Sequence, residues 1–103
     1  MGPDFIRQRI TELRIKKGVS EFKMSTDLGH SRSYIQHIAA GRTLPSLQEF
    51  LYICDYLEVS PSEFFNEELS DPILIRQAYK LICEFDEEDL LALIPMLSRF
   101  KKK

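Results

Sequence analysis

The 103-residue chain is predicted to be all-α, five short helices followed by a two-helix extension. Three observations predict it. Apolar residues recur three and four positions apart along most of the chain, so that each stretch carries one apolar stripe. Serine or aspartate stands ahead of most of these stretches, where a side-chain oxygen accepts from the free backbone N–H groups of a first turn. Gly18, Gly29 and Gly41 fall where three stripes stop, and glycine enters the left-handed conformation that ends a helix without steric cost.

Pro3 suits a first helical position, where its missing N–H costs nothing. Phe5, Ile6, Ile10 and Leu13 then form a stripe with Arg7, Arg9, Arg14, Lys16 and Lys17 outside it, and Gly18 closes the helix. Lys16 and Lys17 suit either an outside contact or the negative end of the helix dipole. Ser20 caps the second helix, with Met24 and Leu28 on one face and Gly29 as its stop. Ser31 is expected to cap the third, whose Ile35 and Ile38 face inward and whose Arg32, Ser33, Gln36 and His37 face outward. A short helix, a glycine turn and a helix with a polar outer face make a helix-turn-helix.

Gly41 ends that helix, and Arg42-Thr43-Leu44-Pro45 forms a loop. Ser46 and Glu49 have the spacing of a capping box, as do Ser60 and Glu63, the latter with Pro61 at the first helical position. Leu47, Phe50, Leu51, Ile53, Cys54 and Leu57 are expected to face inward from the fourth helix, with Phe64 and Phe65 closing the core. Asn66 to Ser70 reads as a polar linker. Asp71 and Pro72 then open a sixth helix with Leu74, Ile75, Ala78, Leu81, Ile82 and Phe85 on an apolar face. Asp86 to Asp89 load negative charge onto the start of a seventh, which runs through Leu90, Leu91, Leu93, Ile94, Met96 and Leu97 to Phe100, with a kink expected at Pro95. Lys101 to Lys103 reads as a solvated basic tail or a dipole partner.

Composition narrows the function classes. Hydrophobic residues at 44% and charged residues at 29% are ordinary for a soluble globular protein. No apolar run approaches the ~20 residues of a membrane span, and Met1 to Ile10 carries no signal-peptide pattern. A cytoplasmic protein with no membrane role is expected. Cys54 and Cys83 are read as two core thiols in a reducing compartment, a disulfide being the alternative. Residues 1–44 carry eight basic and four acidic groups, a balance of +4. Residues 45–103 carry six and twelve, a balance of −6, together giving the net −2. Phosphate is met by local charge, so the basic half outweighs the acidic total. His30 and His37 are too few and too far from other ligand types to suggest a metal. No nucleophile triad, carboxylate pair or phosphate-cradling glycine loop is present, so neither an enzyme nor a cofactor is expected.

Residues 6–65 resemble the Cro/repressor-type (XRE-like) helix-turn-helix domain of phage and bacterial transcription regulators. The resemblance rests on Ile10-Thr11-Glu12-Leu13-Arg14, Lys17-Gly18-Val19-Ser20 and Leu28-Gly29-His30-Ser31-Arg32-Ser33-Tyr34-Ile35. It continues through Gly41-Arg42-Thr43-Leu44-Pro45-Ser46-Leu47 and Leu57-Glu58-Val59-Ser60-Pro61-Ser62-Glu63-Phe64-Phe65. No single piece is specific; their order and spacing are. It implies a five-helix Cro/repressor-like domain over residues 1–66, a C-terminal helical hairpin over residues 67–103, and binding to double-stranded DNA. Two positions depart from the family pattern. Glu21 stands where relatives usually carry a glutamine that donates to phosphate or base, and acts either against phosphate or as a first-turn carboxylate favoured by the dipole. Ala39-Ala40-Gly41 stands where a Glu-x-Gly is frequent.

In such a motif the second helix, here about residues 31–39, enters the major groove. Arg32 suits bidentate bonding to guanine and Gln36 to adenine. Ser33 is short and adaptable, His37 reaches a base or a phosphate, and Tyr34 either packs on the sugar-phosphate or closes the motif's core. Ser31, with free N–H groups behind it, is expected to hold a phosphate. Arg42 and Thr43 are placed for backbone contact, and Ser20 and Glu21 complete the DNA-facing set. The C-terminal hairpin carries more apolar face than it can hide on itself, which predicts a homodimer, the alternative being that it covers the fifth helix. The expected function is a dimeric transcriptional regulator, a repressor. The rival is a protein-interaction or antitoxin-like module with weak or no DNA binding.

Overall fold

A computed structural model describes residues 2–100. Among them are seven helices: α1 (Pro3–Lys17), α2 (Glu21–Asp27), α3 (Tyr34–Ala39), α4 (Leu47–Leu57), α5 (Pro61–Phe64), α6 (Pro72–Ile82) and α7 (Glu87–Arg99). The fold is all-α, with five helices and then two. The chain divides into two compact units at Ile73 and Leu74, so Pro72 and Ile73, the first residues of α6, belong with the helices before it. The Lys101–Lys103 tail lies outside the described residues.

In the first unit α2 packs on α3, α1 on α3 and α4, and α4 on α5. The core takes Ile10 and Leu13 from α1, Met24 from α2, Ile35 and Ile38 from α3, and Phe50, Ile53, Cys54 and Leu57 from α4. Phe64 is wholly buried, with the Phe50 ring edge-on at 4.9 Å and Phe65 at 5.1 Å, an arrangement that adds ring-quadrupole attraction to area burial. Two residues of the predicted α4 stripe point outward instead. Leu47 is 77% exposed and Leu51 47%, because the buried arc of α4 is centred on Phe50, Ile53, Cys54 and Leu57.

Arg9 overturns a second expectation. Placed outside the apolar stripe by its charge, it is 2% exposed. Its Nε donates to the Phe64 carbonyl at 2.6 Å, and its Nη2 to the carbonyls of Glu63, Asn66 and Leu69 at 2.8, 3.0 and 2.8 Å. Helix α5 is four residues long, so its carbonyl end has few partners of its own. A planar cation with five donors meets both the orphan oxygens and the negative end of the dipole. Arg9 is therefore a structural cap and is not part of the basic surface.

Side-chain caps open most helices. Ser20 accepts from Lys23 N–H, Ser46 from Glu49 N–H and Ser60 from Glu63 N–H. The Ser60 box is complete, Glu63 returning a bond to the Ser60 N–H at 2.8 Å. The Ser46 box is half made, because the Glu49 carboxylate is bound to His30.

In the second unit, residues 74–85 complete α6 and its turn, with Cys83 N–H bonded to the Tyr79 carbonyl and Phe85 N–H to that of Ile82. Asp86 accepts from Asp89 N–H at 2.8 Å and starts α7, which runs on through Pro95. None of the described residues of this unit is buried. Cys83 is exposed and Cys54 buried, both as free thiols. Only Cys54 is a core thiol, since Cys83 follows the last turn of a helix whose apolar face is uncovered.

Candidate nucleic-acid interface

Helix α3 is one and a half turns long, too short to hold its shape by propensity, so its position comes from what it touches. Ile35 and Ile38 are each 1% exposed. Ser25, wholly buried in α2, donates to the Glu21 carbonyl at 2.7 Å and accepts from the Ile35 N–H at 2.9 Å. One hydroxyl thus ties the first turn of α3 to the backbone of α2. Sequence reading missed this residue, although at helical spacing Ser25 falls beside the Met24–Leu28 stripe.

The turn between the two helices is fixed as tightly. Gly29 has φ +78°. The Gly29 N–H bonds the Thr26 carbonyl and the His30 N–H that of Ser25, the paired bonds that close a helix on a left-handed residue. The same pair recurs at the end of α3, where Gly41 (φ +84°) bonds Ile38 and Arg42 N–H bonds His37. From the turn, the His30 ring stacks on Tyr34 with centroids 3.7 Å apart and planes 8° from parallel. His30 Nε2 lies 2.7 Å from Glu49 Oε2. Tyr34 is half-buried against the core, and burial, with the Glu49 charge nearby, raises its pKa. No sequence signal pairs His30 with Glu49, because Glu49 reads equally well as the completion of a capping box.

Ser31 does not cap α3. The Ser31 carbonyl accepts from Tyr34 N–H at 3.1 Å, a turn that places Ser33 at the cap position, where its side chain makes no capping bond. The Tyr34 and Ile35 amides donate inside the protein, to the Ser31 carbonyl and the Ser25 hydroxyl, so neither of these two N–H groups is turned outward behind Ser31.

The predicted DNA-facing residues divide into two sets. Ser31, Arg32, Gln36, Arg42 and Thr43, on or beside α3, and Ser20, ahead of α2, are exposed. Ser33, Tyr34, His37 and Glu21 are half-buried. Ser20 and Glu21 stand at the start of α2, the helix packed on α3. Lys23, exposed on α2, is drawn to Asp27 at 3.2 Å. Tyr56 donates to the same carboxylate at 2.7 Å, and these two bonds, Tyr56 first, hold the Asp27 carboxyl below the usual range. Among the described residues, no three His, Cys, Asp or Glu side chains gather as around a metal ion, and no helix is long and apolar enough to cross a membrane.

The sequence pattern that defines the helix-turn-helix domain matches residues 8–70. The chain belongs to the helix-turn-helix domain family. The matched residues run from within α1 through α5 and end just short of α6, and the family is one of DNA-binding domains. Neither the curated proteins nor the solved structures gave a significant match.

Proposed function

We propose that this helix-turn-helix protein is a cytoplasmic regulator of transcription that reads double-stranded DNA with α3 and the turn before it. The observation that carries the reading is the bracing of a six-residue helix on its inner side by Ile35, Ile38 and the Ser25 hydroxyl, while Arg32 and Gln36 stand exposed. A braced helix with free long polar side chains suits base readout, in which positions must hold to a fraction of an ångström. Arg32 and Gln36 read base edges, with Ser33 and His37 beside them. Ser31, Arg42, Thr43, Ser20 and Glu21 meet the backbone, and Tyr34 closes the motif's core against His30. Occupying a duplex site blocks other proteins from it, which makes repression the expected outcome. One such domain reads few base pairs, so the protein works as a homodimer joined by its C-terminal helices.

Duplexes selected from a random pool test this directly. Arg32→Ala should cost about 1–3 kcal/mol at one base position and relax preference there, whereas Arg42→Ala should weaken all duplexes alike and lower the salt slope by about one. Uniform weakening by Arg32→Ala reassigns that residue to phosphate. Glu21, a carboxylate at the entrance of the motif, favours a second reading, a protein-interaction or antitoxin-like module. Absence of binding to any duplex at low salt would establish that reading in place of the first.

A further inference from the structure

We propose that α7 is the contact between two copies of this chain, and that the two α7 helices lie antiparallel across a two-fold axis. The inference rests on the self-association reading above and names its geometry. Leu90 and Leu93 of α7 are half-buried, but Leu91 is 65% exposed and Ile94 56%. With about 3.6 residues per turn, Glu87, Leu91, Ile94 and Ser98 share one narrow stripe, at the four-three-four spacing of a helix–helix seam. Leu91 and Ile94 form the apolar middle of that stripe, between polar Glu87 and Ser98, and exposed apolar side chains gathered on one face mark interaction sites.

Charge selects the occupant. Helix α7 opens on Asp86, Glu87, Glu88 and Asp89 and has Arg99 in its last turn. A partner of either single sign would match one end of this helix and oppose the other. A parallel copy would set acid against acid. An antiparallel copy matches both ends at once, each acidic start meeting a basic end. The stripe is self-complementary under that operation, as an isologous contact requires. Setting Leu91 against Ile94 of the other copy brings Glu87 to Ser98 and Glu88 alongside Arg99, and the two-fold axis repeats every pair.

Sedimentation equilibrium of the full chain, from low to high micromolar, tests the pairing. The unaltered chain should dimerise. Arg99→Glu and Glu88→Arg should each raise the dissociation constant about tenfold, since the axis doubles every substitution. An equimolar mixture of the two should recover affinity to within about threefold of the unaltered chain, because the swapped charges again match. Ile94→Asp, on an exposed position, should give a monomer with its helical circular dichroism intact. A dimer that neither charge variant weakens, or a mixture no tighter than its components, overturns the antiparallel pairing while leaving self-association in place. A chain that stays monomeric throughout overturns both, and duplex binding by that monomer would show that the DNA reading stands separately.

Discussion

Helices α4 and α7 are written in the same kind of sequence and meet different fates. Each opens on a side-chain cap, Ser46 for one and Asp86 for the other, and each carries an apolar stripe at helical spacing. In α4 the stripe ends up inside, with Phe50, Ile53, Cys54 and Leu57 all buried. In α7 no described residue is buried. The period of a stripe specifies a helix and its apolar face. It does not specify whether the surface that covers the face belongs to the same chain. The first unit answers that question internally, through Phe64, Ile10 and the α2–α3 pair, and the second leaves it open to a second molecule.

The sharpest way to break this contrast is to truncate one apolar side chain in each unit. Phe64→Ala removes a wholly buried ring touched by Phe50 and Phe65, and should cost about 3–5 kcal/mol of stability at any protein concentration. Leu91→Ala removes a side chain that stands in solvent. In dilute protein it should change stability by no more than about 0.5 kcal/mol, its effect emerging at high concentration as weaker self-association. Urea unfolding of both variants at two concentrations decides the matter. An equal loss for both in dilute protein would mean that Leu91 is covered within its own chain.

The buried thiol of the first unit gives a second test. Burial, with a smaller part from Asp55, pushes the Cys54 thiol from 9.0 up to about 11. A thiol raised on folding stays protonated in the native state while the unfolded chain ionises. Its share of stability is whole below pH 9 and is lost as pH climbs towards 11, by about 2–3 kcal/mol for a shift of this size. Tyr56, pushed up to about 12 by burial and by its bond to Asp27, extends the decline in the same direction. Stability measured from neutral pH to pH 11 should therefore fall, and Cys54→Ala should flatten the part above pH 9. A flat profile in the unaltered chain would contradict the burial of Cys54.

What was legible in the sequence follows from range. Caps, stops and stripes act within four residues, so Ser20, Ser60, Gly29 and Gly41 could be placed without a structure. Arg9 could not, because its four carbonyl partners lie more than fifty residues away and its charge argued for the surface. Glu49 was misread for the same reason, its partner His30 lying nineteen residues upstream. The outer face of α3 was legible as a polar set around two isoleucines. The brace beneath it was not, since a buried serine looks like any other small polar residue until its two partners are known.

The smallest expected effect separates helix ends inside the first unit. Helix α4 closes like α2 and α3, with Glu58 N–H on the Asp55 carbonyl and Val59 N–H on that of Cys54, yet the left-handed position holds a glutamate at φ +61°. A side chain there costs roughly 1–2 kcal/mol. The Lys17 ammonium, 3.8 Å from the Glu58 carboxylate, offsets that cost by no more than about 1 kcal/mol at so exposed a pair. Glycine relieves the strain but gives the unfolded chain more freedom, a loss of roughly 0.5–1 kcal/mol. Glu58→Gly should then raise stability by a few tenths of a kcal/mol, about 0.5 at most. Gly29→Ala should do the reverse and cost about 1 kcal/mol. A Cβ at Gly29 meets nothing within 4 Å, so that loss would be conformational alone. Glu58→Ala keeps the strain and drops the side chain's interactions, the Lys17 pair among them. Should Glu58→Gly and Glu58→Ala lose stability equally in urea unfolding, the contacts of the Glu58 side chain outweigh the backbone strain, and α4 is closed by its side chain where its neighbours are closed by glycine.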